Sequence, residues 1–146
     1  MNVLFCTDGS KISYNAIKNF SKWTTDITVD IFSAADWSFL PDSLSIEDSE
    51  FVAKCTNTAD TILNYTELLL KECNIKTGEK KKMCGVTVDS ILETIDKNDY
   101  DFVVLGSNGK KGIQRWLGSV SQEIAAVSKI STYISIILEM HLIRRL

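Results

Sequence analysis

The apolar residues of this chain change period repeatedly, from short strand-like runs to helical stripes three or four residues apart. Asn2 to Thr7 is a short apolar run, and Asp8-Gly9-Ser10 breaks it. Ile12, Ala16, Ile17, Phe20 and Trp23 then share one helical face and predict a helix from Ser10 to about Thr24. Ser10 suits the cap position, because its hydroxyl can accept an early helix N–H. Ile27 to Ala34, rich in β-branched residues, predicts the second strand. A polar loop follows from Pro41 to Ser49 and carries the only proline. Phe51, Val52, Cys55, Ala59, Ile62, Leu63, Leu69 and Leu70 keep the helical period, so a long helix is expected from Ile46 or Glu47 to Cys73.

Ile75 to Met83 predicts an edge strand interrupted by Gly78, with Lys80-Lys81-Lys82 as a solvated edge that discourages pairing between sheets. Val88 to Ile95 predicts a short helix. Tyr100 to Leu105 is almost continuously apolar, as expected of a strand covered on both faces. A helix from Ser119 to about Ser128 and a last strand from Tyr133 to Leu138 complete the order, and the tail from Glu139 to Leu146 has no clear period. Alternating strands and helices predict a single α/β domain over residues 1–146, a five-stranded parallel sheet with helices on both faces. In such sheets ligands lie beyond the carboxyl ends of the strands, where the strand order reverses. Two informative loops fall at such ends: Thr7-Asp8-Gly9-Ser10, and the segment from Gly106 onward.

Composition narrows the function classes. With 16 basic and 19 acidic residues and a net charge of −3, nucleic acid is not the expected main partner. Four cysteines without a C-x-x-C pair, beside one histidine, argue against a Cys/His zinc site and fit reduced thiols, three of them in apolar surroundings. No signal peptide is visible and no apolar run approaches the roughly 20 residues of a membrane span, so a cytoplasmic protein with no membrane partner is expected.

The candidate chemistry lies around Val103-Val104-Leu105-Gly106-Ser107-Asn108-Gly109 and the later Gly118-Ser119. Glycines admit close backbone approach, and a helix N-terminus offers unpaired N–H groups with a partial positive charge, a combination suited to phosphates. Ser119-Val120-Ser121-Gln122 is also a capping box, which would use the Ser119 hydroxyl within its own helix. Asp8 either contacts a ligand or merely opens a turn. Lys110, Lys111 and Arg115 either neutralise a polyphosphate or are ordinary surface charge, while Trp116 and Leu117 are expected to pack the loop onto the sheet. There is no Gly-Lys-[Ser/Thr] at Walker A spacing, no G-x-S-x-G elbow and no partner for His141, so a binding protein is expected, with slow hydrolysis at most.

Asp8-Gly9-Ser10, Ser13 and Ala16-Ile17, the aspartate-led strand Asp101 to Gly106, and Gly106-Ser107-Asn108-Gly109 with Gly118-Ser119-Val120 together resemble the universal stress protein family, in its ATP-binding branch, over essentially the whole chain. The resemblance implies a Rossmann-like fold of the adenine nucleotide alpha hydrolase type and an ATP site, with magnesium as an accompanying ion and no metal ligands identified. Asp8 would sit near the ribose or adenine, and Thr7 with Phe32 or Ser33 would border the base. Leu105 and Gly106 would pass under the ribose. Gly109, Gly118, Ser119, Val120 and Ser121 would face the phosphates. A homodimer through the last strand, Tyr133 to Leu138, is implied as well. Two departures stand out: eight residues, not nine, separate Gly109 from Gly118, and Tyr133 stands where the family often has proline. A nucleotide-responsive stress module is therefore the first expectation. A dimeric interaction module that has lost nucleotide binding is the second, and a weak ATPase the third.

Overall fold

The computed structural model describes residues 1–35, 49–84, 87–106, 114–135 and 140–141. Strands and helices alternate as β1 (Asn2–Cys6), α1 (Lys11–Ser21), β2 (Thr28–Ala35), α2 (Ser49–Glu72), β3 (Lys76–Cys84), α3 (Thr87–Lys97), β4 (Phe102–Gly106), α4 (Gln114–Val127) and β5 (Ser131–Ser135), followed by a short β6 (Met140–His141). The sheet runs β3-β2-β1-β4-β5-β6, with the first five strands parallel and β6 antiparallel to β5. The expected α/β fold is present.

Alternation along each strand divides the core in two. Val3 and Phe5 of β1, Val29 and Ile31 of β2, and Val104 of β4 face α1 and α2, where Ile17, Phe20, Leu63 and Leu70 cover them. Leu4 and Cys6, Phe32, and Val103 with Leu105 turn to the other side, against Ile91 and Ile95 of α3 and Val120 and Ile124 of α4. Burying both faces is what makes the strand sequences almost continuously apolar. Tyr133, in the position expected to belong to a strand, lies in β5 and meets Phe20 edge-on, the ring centroids 5.3 Å apart.

Helix ends follow their local chemistry. Ser10 caps α1, its hydroxyl accepting the Ser13 N–H at 3.3 Å. At the end of α2, Asn74 adopts φ +57°, and the N–H groups of Asn74 and Ile75 donate to Lys71 and Leu70 at 3.0 and 2.9 Å. This pair of bonds is a Schellman closure with asparagine in the left-handed position, which releases the chain into β3.

α1 ends at Ser21, short of the expected Thr24, and boundaries later in the chain differ as well. The last long helix begins at Gln114, not at Ser119. Gln, Arg and Leu are good helix formers, and an interior glycine such as Gly118 costs only about 1 kcal/mol relative to alanine, so it does not stop the helix. Ser119 is thus an interior residue of α4 and not its cap, which removes the capping-box reading. The last parallel strand is described from Ser131 to Ser135, with residues 136–138 of the expected strand outside the described residues. The tail, without a period of its own, contributes β6, whose two residues pair with Ile134 and Ser135.

β3 is the edge strand expected from its lysines. Lys80 and Lys82 reach across to Glu67 and Asp60 of α2, each at 2.8 Å, and Lys80 with Lys71 holds the Glu67 carboxyl below its usual range. Gly78 and Glu79 form a bulge opposite Asp30, where the β2–β3 register shifts between Val29 and Ile31. The Asp30 carboxylate occupies that bulge: Oδ1 accepts the Glu79 N–H at 2.7 Å and Oδ2 accepts the Tyr100 hydroxyl at 2.6 Å. A Cβ on Gly78 would lie 2.1 Å from Asp30 Oδ1, so any larger residue there would push the carboxylate out of the bulge. A cavity of about 300 Å³ opens beside this cluster, lined by Asn2, Thr28, Asp30, Gly78, Asp99 and Tyr100 at the amino ends of the strands.

Burial, then the hydrogen bond and charge of Asp30, push the Tyr100 hydroxyl above its ordinary value of 10.0. Folding therefore favours the protonated phenol, a contribution fully present below pH 10.0 and lost as the pH rises further. Tyr100→Phe should lower stability at neutral pH by about 1–2 kcal/mol. In urea titrations the gap from the parent should narrow in strongly alkaline solution; a gap independent of pH would contradict the Asp30 pairing.

Candidate functional site

The strand order reverses between β1 and β4, which pair through Val3 with Phe102, Leu4 with Val103 and Phe5 with Val104. This register sets the carboxyl ends of the two strands side by side, so the Thr7–Ser10 loop and Gly106 emerge next to each other at the crevice where ligands of such sheets lie. Two distant segments of sequence meet here because the sheet is parallel and β1 is central.

Hydrogen bonds fix the first loop. Thr7 N–H donates to the Phe32 carbonyl at 3.0 Å, extending the β1–β2 ladder by one residue. Thr7 Oγ1 accepts the Gly9 N–H at 3.0 Å and lies 2.7 Å from Ser13 Oγ. Ser13 Oγ in turn donates to the Ser10 carbonyl at 2.8 Å, so the remaining proton in the pair comes from Thr7. Thr7, Ser10 and Ser13 are all buried. Asp8 Oδ1 accepts the Ser10 N–H at 2.9 Å, so the carboxylate does form the turn, and it does so while partly exposed. Gly9 has φ +80°, and Ile62 of α2 rests against it, 3.0 Å from where a Cβ would stand.

Beside the loop, Tyr14 and Thr66 join α1 to α2. Thr66 Oγ1 lies 2.6 Å from the Ile62 carbonyl and 3.3 Å from the Tyr14 hydroxyl, and burial raises the Tyr14 hydroxyl above its ordinary range. The negative charge of Asp8 adds to that rise. Thr66 is the feature that pattern reading passes over: a fully buried polar residue on the apolar stripe of Ala59, Leu63 and Leu70.

Gly106 has a structural role of its own. A Cβ there would lie 2.9 Å from the Ser13 nitrogen and 3.0 Å from its Cα, so β4 passes against the backbone of the first turn of α1. Leu105 and Phe32 are fully buried on the α3/α4 side, which leaves their backbone as what they can present to a ligand. Ser33 is buried at the neighbouring position of β2. Val120 packs in the same core and Ser121 is buried. Gly118 and Ser119 lie in the second turn of α4. In a helix starting at Gln114 the N–H groups from Gly118 onward donate to carbonyls four residues back, and within α4 the unpaired ones belong to Gln114, Arg115 and Trp116. Gly109, with Lys110 and Lys111, lies outside the described residues.

The thiol of Cys6, at the end of β1, is buried and raised far above its ordinary value by desolvation, which makes it a packing residue and not a nucleophile. Cys73 is exposed, and the side chains of Cys55 and Cys84 lie outside the described residues. Among the described residues, no group of three or more His, Cys, Asp or Glu side chains could hold a metal ion, and no helix is long and apolar enough to cross a membrane.

A family model described as the universal stress protein family matches residues 1–135. The chain belongs to the universal stress protein family. A curated relative, Universal stress protein MJ0531 of Methanocaldococcus jannaschii, is 24% identical over 139 residues, covering 84% of this chain and 74% of the relative. A universal stress protein solved in complex with cAMP superposes with a TM-score of 0.67 at 22% identity, over 93% of this chain and 97% of that one. An Arabidopsis thaliana family member solved with AMP bound gives 0.63 at 15% identity, over 92% and 90%. These likenesses establish the Rossmann-like fold for this universal stress protein.

Gly106→Ala tests the packing at the crevice. With backbone as the clashing partner, relief requires α1 or β4 to shift, and a loss of about 1–3 kcal/mol is expected in thermal or urea denaturation. An unchanged stability would contradict the close approach of α1 to β4.

Proposed function

We propose that this universal stress protein binds an adenine nucleotide, ATP with or without magnesium, beyond the carboxyl ends of β1 and β4, and acts as a nucleotide-responsive module in stress regulation. The observation that carries this is the meeting of the Thr7–Ser10 loop with Gly106 at the reversal of strand order. Two structural neighbours, one with cAMP and one with AMP, support an adenine nucleotide as the ligand. Asp8 would address the sugar or base from its pinned turn, and the backbone at Phe32, Leu105 and Gly106 would line the floor. The first turn of α4, aided by the hydroxyl of Ser119, would address the phosphates, since a helix N-terminus attracts anions. Gly109 belongs to the same proposal. No general base or nucleophile is assigned, so occupancy and not turnover is the functional event, in a protein working in the cytoplasm.

One observation favours a second reading. With α4 starting at Gln114, the N–H groups of Gly118, Ser119, Val120 and Ser121 belong to the helix ladder, and the loop before them is one residue short of the family spacing. Both features weaken a long phosphate cradle and leave a dimeric interaction module without nucleotide as the alternative. The homodimer is part of either reading, through β5, where Ile134 begins an apolar alternation with Ile136 and Leu138. Ile136 and Leu138 lie outside the described residues.

Calorimetric titration with AMP, cAMP and ATP, on the parent and on Asp8→Asn, tests the proposal. Asparagine can still accept the Ser10 N–H, so the fold should persist, while loss of the charge should weaken nucleotide binding by about tenfold. Equal affinity in both proteins would remove Asp8 from the site, and no heat from any of the three would favour the interaction module.

A further inference from the structure

The outer edge of β5 is occupied by the chain itself. His141 pairs with Ile134 and Met140 with Ser135, antiparallel, and both β6 residues lie beyond residue 135, where the family match ends. The opposite edge is protected by other means, the lysines and the bulge of β3. An exposed strand edge presents unpaired N–H and C=O groups that accept any strand arriving in a compatible direction. Two copies of one chain related by a two-fold axis can join their sheets through the same strand only if that strand pairs with itself antiparallel. β6 supplies this antiparallel direction from within the chain. It therefore stands in the place, and runs in the sense, of the β5 strand of a second copy.

We propose that β6 is an intramolecular latch on the β5 edge, competing with β5 of a second copy for the backbone groups of Ile134 and Ser135. The proposal rests on the homodimer reading above for the location of the interface, and adds what regulates it. The latch is small, two residues on an edge whose other side is held by a five-residue ladder to β4. β6 can thus leave without loosening β5 from the sheet. Every dimer formed through this edge must release two latches, one from each copy, so the effect of each on the dissociation constant is multiplied.

Sedimentation equilibrium on the full chain, beside Met140→Pro and His141→Pro, tests it. In an antiparallel pair the N–H groups of adjacent residues point alternately toward and away from the partner, so at least one of the two prolines removes a bond to β5. Far-UV circular dichroism checks that each variant keeps the fold. Loss of one net hydrogen bond per latch, counted twice, should tighten the dimer by at least about tenfold in that variant. If parent and both variants dimerise with the same constant, the homodimer stands and the latch is wrong. If all three remain monomeric to millimolar concentration, the β5 homodimer itself is wrong and the latch loses its role.

Discussion

The structure turns on the close approach of β4 to the first turn of α1. Gly106 lets the strand pass against the Ser13 backbone, where any side chain would collide. Ser13 in turn is tied to Thr7 and to the Ser10 carbonyl, and Thr7 to the Gly9 N–H. One contact between backbones thus sets the position of the β1 loop relative to the end of β4. Because the polar groups that hold the loop are buried, each would be expensive to leave unpaired, and the loop has little freedom to reorganise. The partly exposed Asp8 stands in this loop with one carboxylate oxygen already committed to the turn.

The rest of the molecule supports this arrangement from both sides. α2 lies across the loop, with Ile62 on Gly9 and Thr66 beside Tyr14, so the long helix covers the Thr7–Ser10 loop as well as the sheet. α3 and α4 bury the other face through Leu105, Val103 and Cys6. At the far end of the strands, Asp30 holds the β3 bulge and the Tyr100 hydroxyl together. The two ends therefore differ in kind: one has an aspartate turn and glycines beside a helix N-terminus, the other a carboxylate already paired on both oxygens.

Much of this was legible in the residues. Strand and helix order followed from hydrophobic period, because a sheet covered on both faces leaves near-continuous apolar strands separated by amphipathic helices. Ser10 as a cap and the lysines of β3 as an edge were readable from local chemistry alone. At Gly106 the expected neighbour is a ligand, whereas the folded chain brings the Ser13 backbone of α1 there, an approach that the sequence alone does not show. The start of α4 is not legible because Gly118 reads as punctuation, whereas the helix-forming residues before it carry the helix through. β6 is hidden from pattern reading for a different reason: two residues have no period, and their pairing depends on an edge that only the folded sheet provides. Thr66 is likewise hidden, because a polar residue within an apolar stripe has no visible partner until α1 and α2 are brought together.

Whether the carboxyl end of the sheet is the ligand site can be read residue by residue from amide chemical shifts in a ¹⁵N-labelled sample titrated with AMP. The account predicts perturbations concentrated at Thr7, Asp8, Gly9, Ser10, Gly106 and the first turn of α4. Perturbations gathered instead around Asn2, Asp99 and Tyr100, at the cavity on the opposite end of the strands, would contradict it.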